Sequence, residues 1–403
     1  MQQTRAAPGS APDRSDKTCC VKSDVPRNPG IDVVRGLSIA LVIVHHVAIR
    51  IPLRKTLLAT VLPIRLLNAL TSNGYEAVFV FFVVSGFLIT TNALGRWGRL
   101  DAIDLRAFYV RRAARILPCL VLLLSVLSVL HVADVRDFTI VNARQSLPRA
   151  VLSALGLHLN WYEGHTGWLP GAWDVLWSLS IEEAFYLCFP IVCVALAGRA
   201  LFVPALVLLA ASLPWTRAAL AGNEIWQEKA YLPGMAAIAV GVLGALLVRR
   251  LRAPRRWVVR VLGAAGAAGI GSVLIVEDLW WRVLGNGTML LLTVSAAALV
   301  VACHWSARDG TARLVPGTAW LMSFGRLSYE SYLTHMFVVF GVVRVFSATH
   351  AGLAHGYLWY LPALAGSWLA GMLVARFFSI PCEKALRARW SRAPARQALV
   401  PEP

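Results

Sequence analysis

Charged side chains are scarce in this chain. Asp, Glu, Lys and Arg make up 15% of its 403 residues, whereas hydrophobic residues make up 58%. Soluble domains contain about 25% charged residues, so the composition excludes an ordinary soluble protein and indicates a polytopic membrane protein. Acidic residues are rarer than basic residues, which gives the chain a formal net charge of +18. Because the basic residues cluster between apolar segments, we interpret this charge as a topological signal and expect no nucleic-acid partner.

Two further absences limit the possible classes. The seven cysteines show neither metal-ligand spacing nor a paired framework, so we expect no metal site and no disulfide scaffold. Residues 1–26 lack an apolar core, which excludes a secretory signal peptide. Their composition instead predicts a disordered cytoplasmic tail. We therefore assign residues 27–384 to a membrane domain and residues 385–403 to a basic cytoplasmic C-terminal tail.

Apolar segments predict an all-α polytopic integral membrane protein with about ten transmembrane helices. The candidate segments are roughly 31–52, 75–95, 116–133, 175–197, 201–220, 231–248, 261–276, 287–304, 318–344 and 357–378. The helix count is open around 53–74, which Pro63 and Arg65 interrupt, and around the Gly/Ala-rich 261–276. With the N-terminus inside, inner pieces hold 27 of the 39 Lys and Arg, and outer pieces hold 11. The positive-inside rule therefore predicts cytoplasmic N- and C-termini.

The first segment carries polar residues that should avoid lipid. Asp32, Arg35 and His46 share one helical face, and His45 points away from it. The rise from Arg35 to His46 is about 16 Å, so one helix presents a guanidinium near one membrane surface and an imidazole towards the other. Two interpretations are open: a catalytic face, or a buried polar stripe that holds helices together.

Adjacent carboxylates interrupt the fourth segment, in LWSLSIEEAFYLCFP. Under the predicted topology, Glu182 and His46 lie at similar depths, so Glu182 or Glu183 could orient the imidazole. The alternative is a polar contact that locks two helices together. Ser180 in the same segment is a supporting candidate.

Two more polar groups lie in the third and ninth segments. Arg111, Arg112 and Arg115 are helical neighbours at the predicted inner mouth of the third segment. Arginine forks suit phosphates, and the alternatives are a topological signal or a lipid-headgroup contact. The ninth segment adds Glu330 and His335, the latter in its outer half, as supporting candidates.

Aromatic side chains are frequent in the longest predicted outer loop, about 134–174. The loop contains Asn160, Trp161, Tyr162, His165 and Trp168. Such residues either stack on sugars or anchor a protein at the membrane interface, and the sequence leaves both interpretations open.

Five stretches, in this order, resemble the motifs of acyltransferase family 3: IDVVRGLSIALVIVHH, FFVVSGFLIT, FYVRRAARILP, WSLSIEEAFYL and GRLSYESYLTH. The resemblance runs from Asn28 to about Glu383. It implies a membrane enzyme that moves an acyl group, usually acetyl from acetyl-CoA, to an acceptor outside the cytoplasm. It also implies an essential arginine and histidine, matching Arg35 and His46, and a role for the arginine motif.

We therefore predict a multi-pass O-acyltransferase of a bacterial plasma membrane, in contact with membrane lipid. The predicted catalytic residues are His46, Arg35, Glu182 and Glu183. The arginines of the third segment bind acyl-CoA as the donor substrate, without a bound cofactor, and the acceptor is an extracytoplasmic glycan or glycan precursor. The alternative acceptor is a small secreted metabolite or antibiotic sugar. A proton-coupled transporter is the rival of another class, although no inverted repeat is evident.

Several properties are left open at this stage. They are the acceptor, the acyl chain length, the oligomeric state, and the choice between direct transfer and an acyl-histidine intermediate.

Overall fold

A computed structural model describes residues 27–310, 316–350 and 352–391, and within these ranges the chain is helical without a β-strand. In chain order the α-helices are α1 (Pro29–Ala48), α2 (Leu58–Val61), α3 (Ile64–Thr71), α4 (Gly74–Trp97), α5 (Leu105–Val132), α6 (Leu147–Leu155), α7 (Leu159–Thr166), α8 (Gly171–Asp174), α9 (Leu176–Leu196), α10 (Phe202–Ala211), α11 (Leu213–Ala218), α12 (Glu224–Lys229), α13 (Tyr231–Arg250), α14 (Arg256–Ile275), α15 (Glu277–Leu284), α16 (Gly287–Arg308), α17 (Ala319–Arg326), α18 (Ser328–Ala348), α19 (Tyr360–Val374) and α20 (Ile380–Ser391). Short 3-10 segments cover Leu53–Lys55 and Leu353–Trp359, and a π-helical segment, Ala375–Ser379, joins α19 to α20.

The predicted tails fall mostly outside this description. The whole of 1–26 and the part of the C-terminal tail from 392 onwards lie outside the described residues. Residues 385–391, which we assigned to the tail, form the last part of helix α20.

Nine stretches of the described chain are long and apolar enough to cross a membrane, which confirms the all-α multi-pass prediction. They are Pro29–Ala48, Gly74–Trp97, Leu105–Val132, Gly171–Leu196, Glu224–Arg250, Arg256–Ile275, Gly287–Arg308, Ser328–Ala348 and Leu353–Trp390. The stretch around Pro63 forms α2 and α3, which have 4 and 8 residues and are too short to cross.

The predicted fifth segment, 201–220, is not a single long helix. It consists of α10 and α11, which meet at Ser212. Pro214 lies in the first turn of α11, where its missing N–H is tolerated, but it cannot donate the backbone hydrogen bond that a continuous helix requires. An apolar run therefore predicted one spanning helix where the structure has two shorter pieces.

These two pieces still carry the chain from one end of the bundle to the other. Phe202, at the start of α10, lines a pocket together with Arg250, the last residue of α13. Arg217, in α11, donates a hydrogen bond of 3.1 Å to Asn286, which precedes α16. Together the two helices therefore connect the two ends of the bundle, as the nine longer stretches of the described chain do.

The first and last described helices meet the same end of the bundle. Asn28 caps α1 and donates a hydrogen bond to the Cys303 carbonyl near the end of α16, whereas Glu383 of α20 pairs with Arg115 near the start of α5. We call this the arginine end, and the opposite end, with His46 at the last turn of α1, the histidine end. The cytoplasmic orientation of the arginine end stays a prediction from charge.

Glycines let α1 approach its neighbours closely. A Cβ at Gly36 would overlap the backbone of α17, and a Cβ at Gly325 would overlap the backbone of α1. Gly86 of α4 and Gly241 of α13 form a second reciprocal contact of this kind. Small residues of this type allow membrane helices to pack backbone against backbone. The close contact between α1 and α17 brings Arg35 of α1 within reach of the start of α18.

Candidate active site

A cavity of about 1400 Å³ extends into the bundle from the arginine end. Nine basic side chains and five carboxylates line it, so its wall carries a net positive formal charge. The wall includes most of the predicted site residues: Asp32, Arg35, Arg111, Arg112, Arg115, Glu182, Glu183 and Glu330. His46, Ser180 and His335 are not part of this wall.

Arg35 connects α1 to α18 inside the cavity. Its Nη2 donates a hydrogen bond of 2.6 Å to the Ser328 hydroxyl, and its Nη1 lies 3.9 Å from an Asp32 oxygen one helical turn earlier. About a quarter of the Arg35 side chain stays exposed. The guanidinium is therefore held in place and still accessible from the cavity, as an anion-binding group must be.

Arg115 has a different environment from the other arginines of its motif. Its guanidinium lies 3.5 Å from the carboxylate of Glu330 and 3.3 Å from that of Glu383. Glu330 is also hydrogen-bonded by the Ser379 hydroxyl at 2.8 Å. Arg115 and Glu330 thus join α5, α18 and α20, and much of the Arg115 charge is balanced by these carboxylates.

Arg111 and Arg112 face aromatic rings instead. The Arg112 guanidinium lies 3.5 Å from the ring centroid of Tyr186, and the Arg111 guanidinium lies 5.7 Å from that of Trp97. Stacking leaves the edge of a guanidinium able to donate hydrogen bonds. The edges of both guanidinium groups can therefore bind an anion that enters the cavity, although Glu183 and Glu182 offset part of the Arg112 charge.

Glu182 does not pair with His46, although the sequence made that pairing geometrically feasible. Within the described structure its carboxylate accepts a hydrogen bond of 2.8 Å from Tyr186 and another from the Ser85 hydroxyl, which also contacts Tyr186. Similar depth in the membrane does not determine the direction in which a helix turns a side chain, and α9 turns Glu182 towards α4. Glu183 lines the cavity beside it.

The two adjacent histidines of α1 face different neighbours, which confirms the prediction from helix geometry. His45 lies against Gly74, and its Nδ1 is 2.8 Å from the Thr71 carbonyl oxygen. The half-buried His46 faces α18, where its ring centroid is 5.2 Å from that of His335. The structure therefore brings together two predicted site residues that are far apart in the sequence.

The histidine pair begins where the cavity ends. Tyr332 lines the cavity, and its ring centroid is 5.7 Å from that of His335 one turn later in α18. The Tyr332 hydroxyl is held by Ser178 at 2.7 Å and by the Val175 carbonyl at 2.9 Å. A substrate arm that enters at the arginine end can therefore reach the neighbourhood of the histidines without leaving the bundle.

Ser180 has no direct place in this arrangement. Its hydroxyl donates a hydrogen bond of 3.3 Å to the Leu176 carbonyl of its own helix, and the side chain is buried away from the cavity wall. Ser178, two residues earlier, lines the cavity instead. Sequence reasoning also missed Tyr186, although its i+4 spacing from Glu182 indicates a shared helical face.

A buried ion cluster at the histidine end was not predicted either. Lys229, only 1% exposed, donates a hydrogen bond of 2.9 Å to Glu163 and another to Asp174. Burial, followed by repulsion from Asp174, raises the pKa of the Glu163 carboxyl well above its usual range despite the Lys229 ammonium. The Trp168 ring covers Lys229 at 4.0 Å. In the sequence, the only indication of this cluster was a single lysine directly before an apolar segment.

The aromatic residues of the predicted outer loop partly remain on the surface. Trp161 and Trp168 are 52% and 44% exposed, and the Trp161 ring lies 4.2 Å from that of His165. Asn160 and Tyr162 are buried, which assigns them to packing. Among the described residues, no group of three or more His, Cys, Asp and Glu side chains is arranged to hold a metal ion.

Comparison with known proteins gives a consistent picture. The family model described as an acyltransferase domain matches residues 28–382. The chain is similar to the O-acetyltransferase OatA of Staphylococcus aureus strains NCTC 8325 / PS 47 and COL, with 29% identity over 181 residues in each case. The match covers 42% of this chain and 25% of each relative, so the chain spans about a quarter of their length. No solved structure matches the chain.

Proposed function

Because this chain belongs to acyltransferase family 3, whose domain covers residues 28–382, we propose that it is a membrane O-acetyltransferase that takes acetyl from acetyl-CoA at the arginine end and delivers it to a hydroxyl group at the histidine end. One observation carries the proposal. A positively charged cavity runs from the arginine end to Tyr332, and Tyr332 adjoins the pair formed by His46 and His335.

Phosphate binding is the role proposed for the arginine end. CoA carries several phosphates on its nucleotide, and its reactive thioester lies at the far end of a long pantetheine arm. Arg111 and Arg112, stacked on aromatic rings, and the accessible Arg35 supply guanidinium donors for these phosphates. The arm then has to cover about 16 Å between the levels of Arg35 and His46. In the proposed binding mode, an arm of that reach brings the thioester carbonyl beside the histidines.

His46 is the proposed general base. It takes the proton of the acceptor hydroxyl as the hydroxyl oxygen attacks the thioester carbonyl. A carbon–oxygen bond forms, the carbon–sulfur bond breaks, and the CoA thiolate leaves with the proton that His46 returns. A relay in which His46 first carries the acetyl group uses the same contacts, and both routes remain within the proposal.

The acceptor class that we propose is a carbohydrate, either a surface glycan or its precursor. Trp161 and Trp168 expose aromatic faces at the histidine end, where sugar rings can stack. The sugar of a small secreted metabolite can stack and accept acetyl in the same way. His46 is only half-buried, so part of its side chain stays accessible.

Labelled acetate tests the proposal directly. Membranes from cells with and without the gene receive radiolabelled acetyl-CoA, and the glycan fraction is then treated with mild alkali to release ester-bound acetate. We expect alkali-labile label only when the gene is present, and no label with the His46→Ala variant at equal protein level. Equal labelling without the gene, or with the variant, would contradict the proposal.

A further inference from the structure

We infer that His335 is the positioning residue for His46: its Nε2 accepts a hydrogen bond from the imidazole N–H of His46 and turns the other nitrogen of that ring towards the acceptor hydroxyl. This inference rests on the proposed function, since it assigns a partner to the proposed base. It gives His335 the role that the sequence assigned to Glu182 or Glu183.

The tautomer of His335 follows from one contact. Its Nδ1 is 2.6 Å from the backbone carbonyl oxygen of Tyr332. A carbonyl oxygen can only accept a hydrogen bond, so Nδ1 carries the proton and Nε2 presents a lone pair in the neutral ring. His335 is completely buried, and its Nε2 has no hydrogen-bond partner within the described part of the chain. A buried acceptor without a partner is rare and calls for a ligand or a moving neighbour.

His46 is the neighbour that can supply the missing donor. Its ring centroid is 5.2 Å from that of His335, and the planes are inclined by 40°. At this separation, rotation of the His46 ring brings facing nitrogens to the usual hydrogen-bond distance of about 2.9 Å. An N–H is present on that ring in either tautomer, and on both nitrogens in the charged form.

The other groups around His46 are poorly suited to the role. Its electrostatic neighbours are His335, His45, Arg50 and Lys229. Arg50 and Lys229 are cations and cannot accept a hydrogen bond. The His45 ring centroid is also close, 5.4 Å from that of His46, but its Nδ1 is held by the Thr71 carbonyl and the ring packs against Gly74. Of these four groups, His335 is the one with a fully buried nitrogen that still needs a donor within the described residues, which makes it the best-placed acceptor for the N–H of His46.

The anchoring of His335 explains why it can position another ring. Tyr332, whose carbonyl orients His335, is itself held by Ser178 and by the Val175 carbonyl. These contacts connect α18 to the beginning of α9. An acceptor with a determined position selects one tautomer of the base and stabilises the imidazolium that forms during proton transfer.

Three variants in proteoliposomes test the inference: His335→Gln, His335→Phe and, as a matched control, His45→Gln. Gln keeps a side-chain acceptor, whereas Phe keeps the ring shape without one. The assay is transfer of radiolabelled acetate from acetyl-CoA to the membrane glycan fraction, with kcat, the KM for acetyl-CoA and the pH–rate profile as readouts. Thermal unfolding in detergent confirms that each variant is folded.

We expect His335→Phe to lower kcat about ten- to a hundredfold, the effect of one lost hydrogen bond to a charged group, with the KM for acetyl-CoA unchanged. The acid limb of the pH–rate profile should move to lower pH, because the protonated form of His46 loses a stabilising acceptor. His335→Gln should recover part of kcat, and His45→Gln should keep the wild-type profile.

Any one of three results would overturn the inference. The first is a folded His335→Phe protein with the wild-type kcat and pH–rate profile. The second is a His335→Gln protein whose kcat is no higher than that of His335→Phe, and the third is a His45→Gln protein whose pH–rate profile shifts as that of His335→Phe does. Failure of the proposed function has a different signature, since wild-type protein would then transfer no acetate at all. In that case the pH dependence of diethylpyrocarbonate labelling at His46, followed by peptide mass spectrometry, tests the contact: an unchanged labelling midpoint in His335→Phe overturns it.

Discussion

Arg35 and His46 lie on one face of α1, about 16 Å apart along the helix, and both face α18. Arg35 donates to Ser328 at the start of α18, whereas His46 stands beside His335 seven residues later in that helix. Helices α1 and α18 therefore run in the same direction from the arginine end to the histidine end. Between them they connect the mouth of the cavity to the proposed reaction centre.

Arg112 provides the first prediction. Arg112→Ala should raise the KM for acetyl-CoA about tenfold, because a charge-assisted phosphate contact is lost. Arg112→Lys should recover only part of it, since an ammonium lacks both the fork and the flat stacking surface held over Tyr186. Steady-state kinetics in membranes measure the effect.

Arg99 is the matched control for Arg112, because it lies at the same end of the bundle, pairs with Asp101 and is absent from the cavity wall. Arg99→Ala should leave the KM unchanged. Full recovery by Arg112→Lys would instead identify Arg112 as a topological signal.

Arg115 should matter mainly for stability. Glu330 is 1% exposed, and Arg115→Ala would leave its carboxylate without this partner. Because the Arg115 side chain is partly exposed, water can compensate in part, and we expect a loss of about 1–3 kcal/mol of unfolding free energy. Adding Glu330→Gln should restore most of it, which thermal unfolding in a double-mutant cycle can measure. An additive double variant would show that the two residues do not interact.

The histidines of α1 allow a comparison between neighbours. His46→Ala should abolish acetate transfer while protein level and membrane insertion stay normal. His45→Ala should have a milder effect, because its ring faces Thr71 and Gly74 rather than the reaction centre. Transfer of radiolabelled acetate, normalised to protein amount, measures both. Equal losses in the two variants would contradict the assignment of faces.

Lys229 should be a structural determinant of the histidine end. Lys229→Met removes one partner of a buried ion cluster and should cost about 3–5 kcal/mol of unfolding free energy. Glu163→Gln is the comparison variant, because the raised pKa of Glu163 favours its neutral form; Gln can still accept from the Leu169 N–H but no longer accepts from Lys229. Thermal unfolding should therefore show a smaller loss for Glu163→Gln than for Lys229→Met. Equal destabilisation by both changes would mean that Glu163 is charged in the folded protein.

Patterns along single helices predicted much of this structure, whereas relations between helices were harder to predict. Helical periodicity correctly separated the faces of His45 and His46. The His46–Glu182 pairing failed because depth in the membrane leaves the rotation of each helix undetermined, and α9 directs Glu182 towards Ser85. The Lys229 cluster joins residues from separate parts of the chain, and no local pattern links them.

The last prediction concerns the two sides of the membrane. The cavity wall contains Arg35 and ends near Tyr332, and His46 lies beyond it at the histidine end. If donor and acceptor use opposite ends, they must arrive from opposite compartments. Sealed vesicles with the arginine end inside and acetyl-CoA enclosed should acetylate an impermeant glycan outside. Acetyl-CoA supplied only outside should be inactive until detergent opens the vesicles. His46→Ala vesicles control for leakage.

The energetics permit such transfer, because the reactive thioester supplies the driving force and only an acetyl group has to leave the pantetheine arm beside His46 for the acceptor. The bulky, charged nucleotide stays in the basic mouth, where desolvation is not required. A reversed pattern of activity would show that the arginine end faces outwards and would contradict the orientation inferred from charge. Activity only with donor and acceptor in the same inner compartment would preserve that orientation but exclude transfer across the membrane.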